Sequence, residues 1–263
     1  MATSTALRPL LVVAGVGGGV GTGAAATRLF AKSGYEVALI ARNTNSLREL
    51  SDQINSIPNL SGKASLIQPA TPFTANSYSH NDMKTVFNEI WSHYDSKQTA
   101  FRAAIYNIGH AVFKPFLETS LEEFKTALEV NVEAAHAFSL EVIPKLLENK
   151  DNEVFETDGK KLEGGKGSLI FTGATAALRG SSMTSAMSAS KGANRNFNQS
   201  LAKEFWPQGV HVAHAIIDGR IQGQYSEKGL DPESIAQAYY NLARQERTAW
   251  TWEIDLRPAE ETW

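Results

Sequence analysis

The sequence predicts an α/β protein organised around a parallel, doubly wound sheet. Three observations carry this reading. Short apolar runs alternate with helical segments along the whole chain. The runs are apolar throughout instead of alternating with polar residues, as in strands covered on both faces. A glycine-rich turn directly follows the first run.

The elements follow in order. "PLLVVAG" (9–15) is a buried strand ending in glycine, and helical spacing then runs from Val20 to Ser33. "YEVALIAR" (35–42) is the second strand, "SLRELSDQIN" (46–55) an amphipathic helix, and "KASLIQ" (63–68) the third strand. After a polar loop, "DMKTVFNEIWSHY" (82–94) reads as helix and "FRAAIYNIG" (101–109) as the fourth strand. Residues 120–149 form one long helix opened by a capping box, Ser120 with Glu123. "GSLIFTG" (167–173) is the fifth strand, followed by the helix that holds Lys191, and "GVHVAHAIIDG" (209–219) is the sixth. "DPESIAQAYYNLARQ" (231–245) starts a helix at Asp-Pro, where the fixed φ of proline suits the first turn. "WTWEIDL" (250–256) completes a sheet of about seven strands with helices on both faces. The polar stretch 150–167 is longer than a strand connection requires, and Asp158-Gly159 within it can turn a small hairpin. It reads as a surface insertion or a subunit contact.

The chain has 263 residues, 42% hydrophobic and 20% charged, enough for a sizeable core, and 1–263 reads as a single domain. A formal net charge of -3, with no basic cluster, argues against nucleic acid and anionic membrane as partners. With no cysteine there are no disulfides, thiolate nucleophiles or cysteine metal sites. The six histidines (80, 93, 110, 136, 211 and 214) have no metal-ligand spacing, and His211 and His214 fall on opposite faces of one strand, so no metal is expected. No Gly-x-Ser-x-Gly elbow marks a hydrolase triad. No stretch approaches the roughly 20 apolar residues that span a bilayer, and the first residues carry no cleavage-site pattern, so a cytoplasmic location is expected. Tyr239-Tyr240 and the C-terminal tryptophans read as packing for the last helix and strand, or as a subunit contact.

"AGVGGGVGTG" (14–23) lies between the first strand and the first helix. Glycines there tighten the turn and let backbone N–H groups approach a pyrophosphate at the helix N-terminus. The context makes Gly15, Gly19, Val20 and Gly21 candidates for a Rossmann-type dinucleotide site, and no Gly-Lys-Ser/Thr follows to make it a P-loop. The second strand ends in Arg42-Asn43, where an acid would favour NAD(H). A guanidinium there can pair with a 2′-phosphate, so NADP(H) is favoured, the alternative being that Arg42 is a solvated strand-end charge.

Together these motifs resemble the short-chain dehydrogenase/reductase family over essentially the whole chain. The family's Thr-Gly-x-x-x-Gly-x-Gly loop is similar to Ala14–Gly21, with alanine for threonine, and its Asn-Asn-Ala-Gly to Tyr106-Asn107-Ile108-Gly109, with two of four positions kept. Its helix asparagine resembles Asn131, its Pro-Gly after the sixth strand Asp218-Gly219, and its lysine Lys191. The resemblance implies cofactor contacts at Asn107, Gly109, Lys191 and Ile221. It also implies a homodimer or homotetramer built on the helix 120–149 and the helix after Met183.

The family's proton chemistry uses a Tyr-x-x-x-Lys pair and a serine, and those two places fall on Met187 and Ala174. Both keep the family's spacing, and "FTGATAALRG", "HVAHAIIDG" and "AWTWEIDLRP" resemble an atypical branch in which the tyrosine is often absent. The implied catalytic positions are therefore Asn131, Lys191, Met187 and Ala174. A helix asparagine can equally bond a backbone carbonyl, and Met183 and Met187, one turn apart, also read as core packing.

Hydride transfer to a ketone creates an alkoxide, and losing the acid that quenches it costs about 10² to 10⁴ in rate. Three outcomes are open. Thr175, His110, Tyr225 or the serines flanking Met187 can substitute, although Ser188 and Ser190 should point away from Lys191. A substrate that needs no acid, such as an iminium, can occupy a cavity lined by Met187, Ala174 and Met183. Or the chain is a silent dinucleotide binder. The favoured expectation is an NADP(H)-dependent oxidoreductase acting on an organic small molecule, carbonyl or iminium-like, with a cyclase or isomerase as a further alternative.

Overall fold

The computed structural model describes residues 7–57, 69–150, 155–157, 160–162, 165–223 and 228–260. Seven strands form one sheet: β1 (Arg8–Ala14), β2 (Glu36–Ala41), β3 (Ala70–Thr74), β4 (Thr99–Tyr106), β7 (Gly167–Ala174), β8 (Val210–Ile217) and β9 (Glu253–Leu256). The order is β3-β2-β1-β4-β7-β8-β9 and every pairing is parallel. The continuous apolar runs are explained by burial on both faces. One face packs α1 (Thr22–Lys32), α2 (Thr44–Asn55) and α7 (Pro232–Ala243) through Phe30, Leu47 and Tyr239. The other packs α3 (His80–His93), α5 (Ala134–Leu147) and α6 (Ser185–Phe205) through Phe87, Phe138 and Ala202. The chain winds outward from β1 to β3, then returns to β4 and winds the other way. That reversal opens a crevice at the carboxyl ends of β1 and β4, where such sheets bind ligands.

The third strand is a correction. Residues 63–68 lie outside the described residues, and the strand beside β2 is Ala70–Thr74, within the stretch the sequence suggested was a polar loop. Its two threonines and Pro72 hide the strand pattern, and proline is tolerated because β3 is at the sheet edge. Helix α2 starts two residues earlier than its periodicity suggests, because the Asn43 side chain accepts from the N–H groups of Asn45 and Ser46 at 3.0 and 3.1 Å. The Ser120–Glu123 capping box forms as expected at α4 (Leu121–Leu128). The long helix is continuous but carries a π turn over Glu129–Glu133, which separates α4 from α5 and contains Asn131. In the polar insertion, β5 (Phe155–Thr157) and β6 (Lys160–Leu162) pair antiparallel, and Asp158-Gly159 falls outside the described residues between their paired ends. No helix among the described residues is long and apolar enough to cross a membrane.

Phe138 is fully buried, with its ring 5.4 Å from Phe87 and 5.5 Å from Tyr106. Phe138→Ala should lower stability by about 3–5 kcal/mol, read as a shifted midpoint in urea denaturation.

Candidate active site

The glycine loop is held from below by β4. The N–H of Asn107 donates to the carbonyl of Ala14 at 2.8 Å, and its side-chain amide donates to the carbonyl of Gly15 at 2.7 Å. Gly15 has φ +95, and a Cβ there would lie 2.7 Å from the Asn107 carbonyl carbon, so only glycine permits this approach. A Cβ on Gly23 would lie 2.4 Å from the Gly15 oxygen, which is why the first helix packs so closely beneath the loop. Gly18, Gly19 and Gly21 face open space instead. Arg28, on α1, donates to the Gly19 carbonyl at 2.8 Å and so occupies that acceptor. Gly21 caps α1 with no side-chain bond, the first turn holds no acid, and the buried Thr22 hydroxyl has no hydrogen-bond partner. An uncapped helix start behind open glycines is an arrangement suited to a pyrophosphate. Val20 is half exposed at its tip, facing Gly223 on the segment beyond β8.

At the end of β2, Arg42 is exposed and its guanidinium carbon lies 4.9 Å over the ring of Tyr78. Burial raises the Tyr78 phenol above its ordinary value, against the opposing pull of Arg42.

From the crevice a cavity of about 1240 Å³ extends toward the ends of β7 and β8. Gly109, His110, Ala174, Met187, Lys191 and Ile221 all line it. Lys191 is buried, and its ammonium is 3.5 Å from the Thr172 carbonyl. Burial pushes its pKa down to about 8. A Cβ at Gly109 would lie 3.4 Å from that nitrogen and 3.8 Å from Asn131 Oδ1, so the three residues meet at one point.

Asn131 projects from the π turn as a clamp. Its Oδ1 accepts from the His110 N–H at 3.1 Å, and its amide donates to the His110 carbonyl at 2.8 Å and to Ser190 Oγ at 3.0 Å. Its own carbonyl accepts from Asn194 at 2.6 Å. Every polar group of Asn131 is therefore engaged, and what it holds is the backbone of His110.

Met187 and Ala174 both line the cavity beside Lys191, but Met183 does not. The expectation that Met183 shares the lining, or packs in the core, is corrected: it is 48% exposed at φ +66, in the turn before α6, and its carbonyl accepts from the Lys114 N–H. Ser190 turns inward to Asn131 and the Met187 carbonyl, and Ser188 pairs with Thr184. Thr175 donates to Asp218, whose other oxygen lies 2.7 Å from Arg257. Tyr225 lies outside the described residues.

Sequence reasoning missed the support beneath the floor. His214 on β8 is fully buried, with Nδ1 2.9 Å from Glu253 and its ring stacked on Trp252, and Arg195 grips the same carboxylate at 2.6 and 2.7 Å. Burial holds the imidazole below its ordinary value and therefore neutral, although Glu253 pulls the other way. Its ring occupies the space where a side chain at position 173 would project. His211, on the opposite face, bonds the carbonyls of Leu242 and Thr251 instead. A Cβ at Gly173 would lie 2.2 Å from His214 Nε2 and 2.4 Å from its Cε1, and the pinned ring has nowhere to move. Gly173→Ala should therefore destabilise the protein by about 1–3 kcal/mol, measurable by urea or thermal unfolding.

The model of the short chain dehydrogenase family matches residues 11–228. The very-long-chain 3-oxoacyl-CoA reductase of Candida glabrata is 26% identical over 203 residues, covering 76% of this chain and 53% of that one. The same-named protein of Yarrowia lipolytica is 29% identical over 203 residues, 76% of this chain and 48% of that one. The chain thus spans about half the length of these curated relatives. A short-chain dehydrogenase from Rhodopseudomonas palustris is similar with a TM-score of 0.73 and 27% identity, covering 95% of this chain and 98% of that one. A metagenomic short-chain oxidoreductase solved in complex with NADP has a TM-score of 0.73 at 19% identity, covering 98% and 100%, a likeness of fold. With its parallel sheet, its tight glycine loop after β1 and most of its length matched, this chain belongs to the short-chain dehydrogenase family of nicotinamide-dinucleotide-binding oxidoreductases.

Proposed function

We propose that the protein is an NADP(H)-dependent reductase of an organic small molecule, carbonyl or iminium-like, whose site works without the family's tyrosine and serine. The observation that carries this reading is the cavity lining, which Lys191, Met187 and Ala174 share with no tyrosine among the described residues that line it. The dinucleotide fits the chain's own groups. The uncapped start of α1 and the orphaned Thr22 hydroxyl suit the pyrophosphate. The Lys191 ammonium would hold the nicotinamide ribose, Gly109 and Ile221 line the cavity beside it, and Asn107 would brace the glycine loop. Arg42, at the end of β2 and just before the Asn43-capped start of α2, suits a 2′-phosphate. When bound, NADPH supplies the hydride. The NADP complex of the metagenomic relative and the reductase names of the yeast proteins support the same reading.

The thioether of Met187 cannot donate a proton, so the wall it forms excludes water without quenching an alkoxide. Hydride addition to an iminium carbon gives a neutral amine directly and asks for no acid. Fluorescence titration should therefore show NADPH binding more tightly than NADH, and a panel of ketones and iminium salts should show reduction by NADPH. Binding without turnover of any probe would support the silent-binder alternative.

Arg42→Ala should weaken NADPH binding about 10- to 100-fold and leave NADH nearly unchanged, as loss of a charge-assisted phosphate contact requires. Lys191 is cationic below a pKa lowered to about 8 from 10.5, so NADPH affinity should fall as the pH rises above about 8. Lys191→Met should remove that dependence in the same titration.

A further inference from the structure

Resting on the reductase reading, we propose that His110 is the proton donor of this site, doing for a carbonyl substrate what the absent tyrosine does elsewhere in the family. His110 lines the cavity shared by Lys191, Met187 and Ala174. Among the described residues, neither ring nitrogen of His110 has a hydrogen-bond partner. Its backbone is fixed at two points by the Asn131 amide, at 3.1 and 2.8 Å, and the preceding Gly109 lies against the Lys191 ammonium. The residue is thus held on a fixed peptide with its ring nitrogens left unsatisfied, as a donor needs.

The competing hydroxyls are committed elsewhere. Thr175 donates to Asp218, Ser190 is buried against Asn131 and the Met187 carbonyl, and Ser188 pairs with Thr184. Ser181 lines the cavity, but as an aliphatic alcohol with no base bonded to it, it is too weak an acid. Lys191 is taken by the cofactor ribose in the reading above. An imidazolium is the side chain that exchanges a proton most readily near neutrality.

The step balances without a further reagent. The carbonyl carbon gains a hydride from NADPH, which becomes NADP⁺. The C=O π pair moves to oxygen, and that oxygen takes an N–H proton from His110, leaving a neutral imidazole that regains a proton from water at the cavity mouth. The Asn131 clamp also acquires a purpose, as a positioning residue for His110.

The test uses the full chain with NADPH, a cyclic ketone and an N-methyl dihydroisoquinolinium salt. His110→Gln should keep NADPH affinity within about twofold and the thermal midpoint near that of the parent. Its ketone reduction should fall about 10² to 10⁴-fold, and its iminium reduction far less. Added imidazole should restore part of the ketone activity of His110→Ala. As a readout independent of turnover, diethyl pyrocarbonate should modify His110, followed by mass spectrometry, and NADP⁺ with the alcohol product should protect it while NADP⁺ alone does not. The exposed His80 on α3 serves as the unprotected control.

Ketone reduction by His110→Gln within threefold of the parent would overturn the assignment, as would His110 modified equally with and without the ternary ligands. A parent that reduces the iminium but no ketone would overturn it too, while keeping the reductase reading. A parent that binds NADPH and reduces neither probe would remove the reductase reading and this proposal together.

Discussion

The close approach of two backbones, at Gly15 and Asn107, is the constraint from which the rest of the site follows. The Asn107 amide ties the Gly15 carbonyl, and Thr172 on β7 donates to Asn107 Oδ1 at 2.8 Å. Thr172 in turn meets the Tyr239 hydroxyl on α7 at 2.8 Å. One line of hydrogen bonds therefore runs from the glycine loop across β4 and β7 to α7. Burial strengthens each link, because any partner that left would strand a polar group away from water. The loop keeps its open shape only while that line holds.

A second constraint fixes the other half of the site. The π turn at Glu129–Glu133 carries Asn131 against the His110 backbone, and α6 meets it with Ser190 and Asn194. Single-turn π segments are frequent at functional sites because they redirect one side chain without ending the helix. Here the redirected side chain holds backbone, so precision is given to the loop after β4 and not to a ligand directly. Lys191 reaches the same point from α6, where burial lowers its pKa to about 8 in a cavity that Ala174 and Met187 also line.

Most of the fold was legible because its strands are buried on both faces and their residues record that directly. The glycine loop and Lys191 were legible for a similar reason, since each depends on local chain geometry. What escaped depends on distant approach. Pro72 hid β3, and nothing local to residues 129–133 announces a π turn. The role of Asn107 as a brace for Gly15 required knowing that the ends of β1 and β4 touch. His214, Glu253 and Arg195 are 39 and 58 residues apart along the chain, and only the sheet order unites them. Met183 was misplaced because helical spacing was extended one turn past the true start of α6.

The position of Glu253 has a temporal consequence. It lies on β9, the edge strand nearest the carboxyl end, so during synthesis it leaves the ribosome after the other six strands of the sheet. A nascent chain that has already paired β7 with β8 holds the His214 imidazole inside a forming interior with no carboxylate to meet its Nδ1–H. The contact beneath the cavity between His214 and Glu253 therefore forms only once β9 docks on β8.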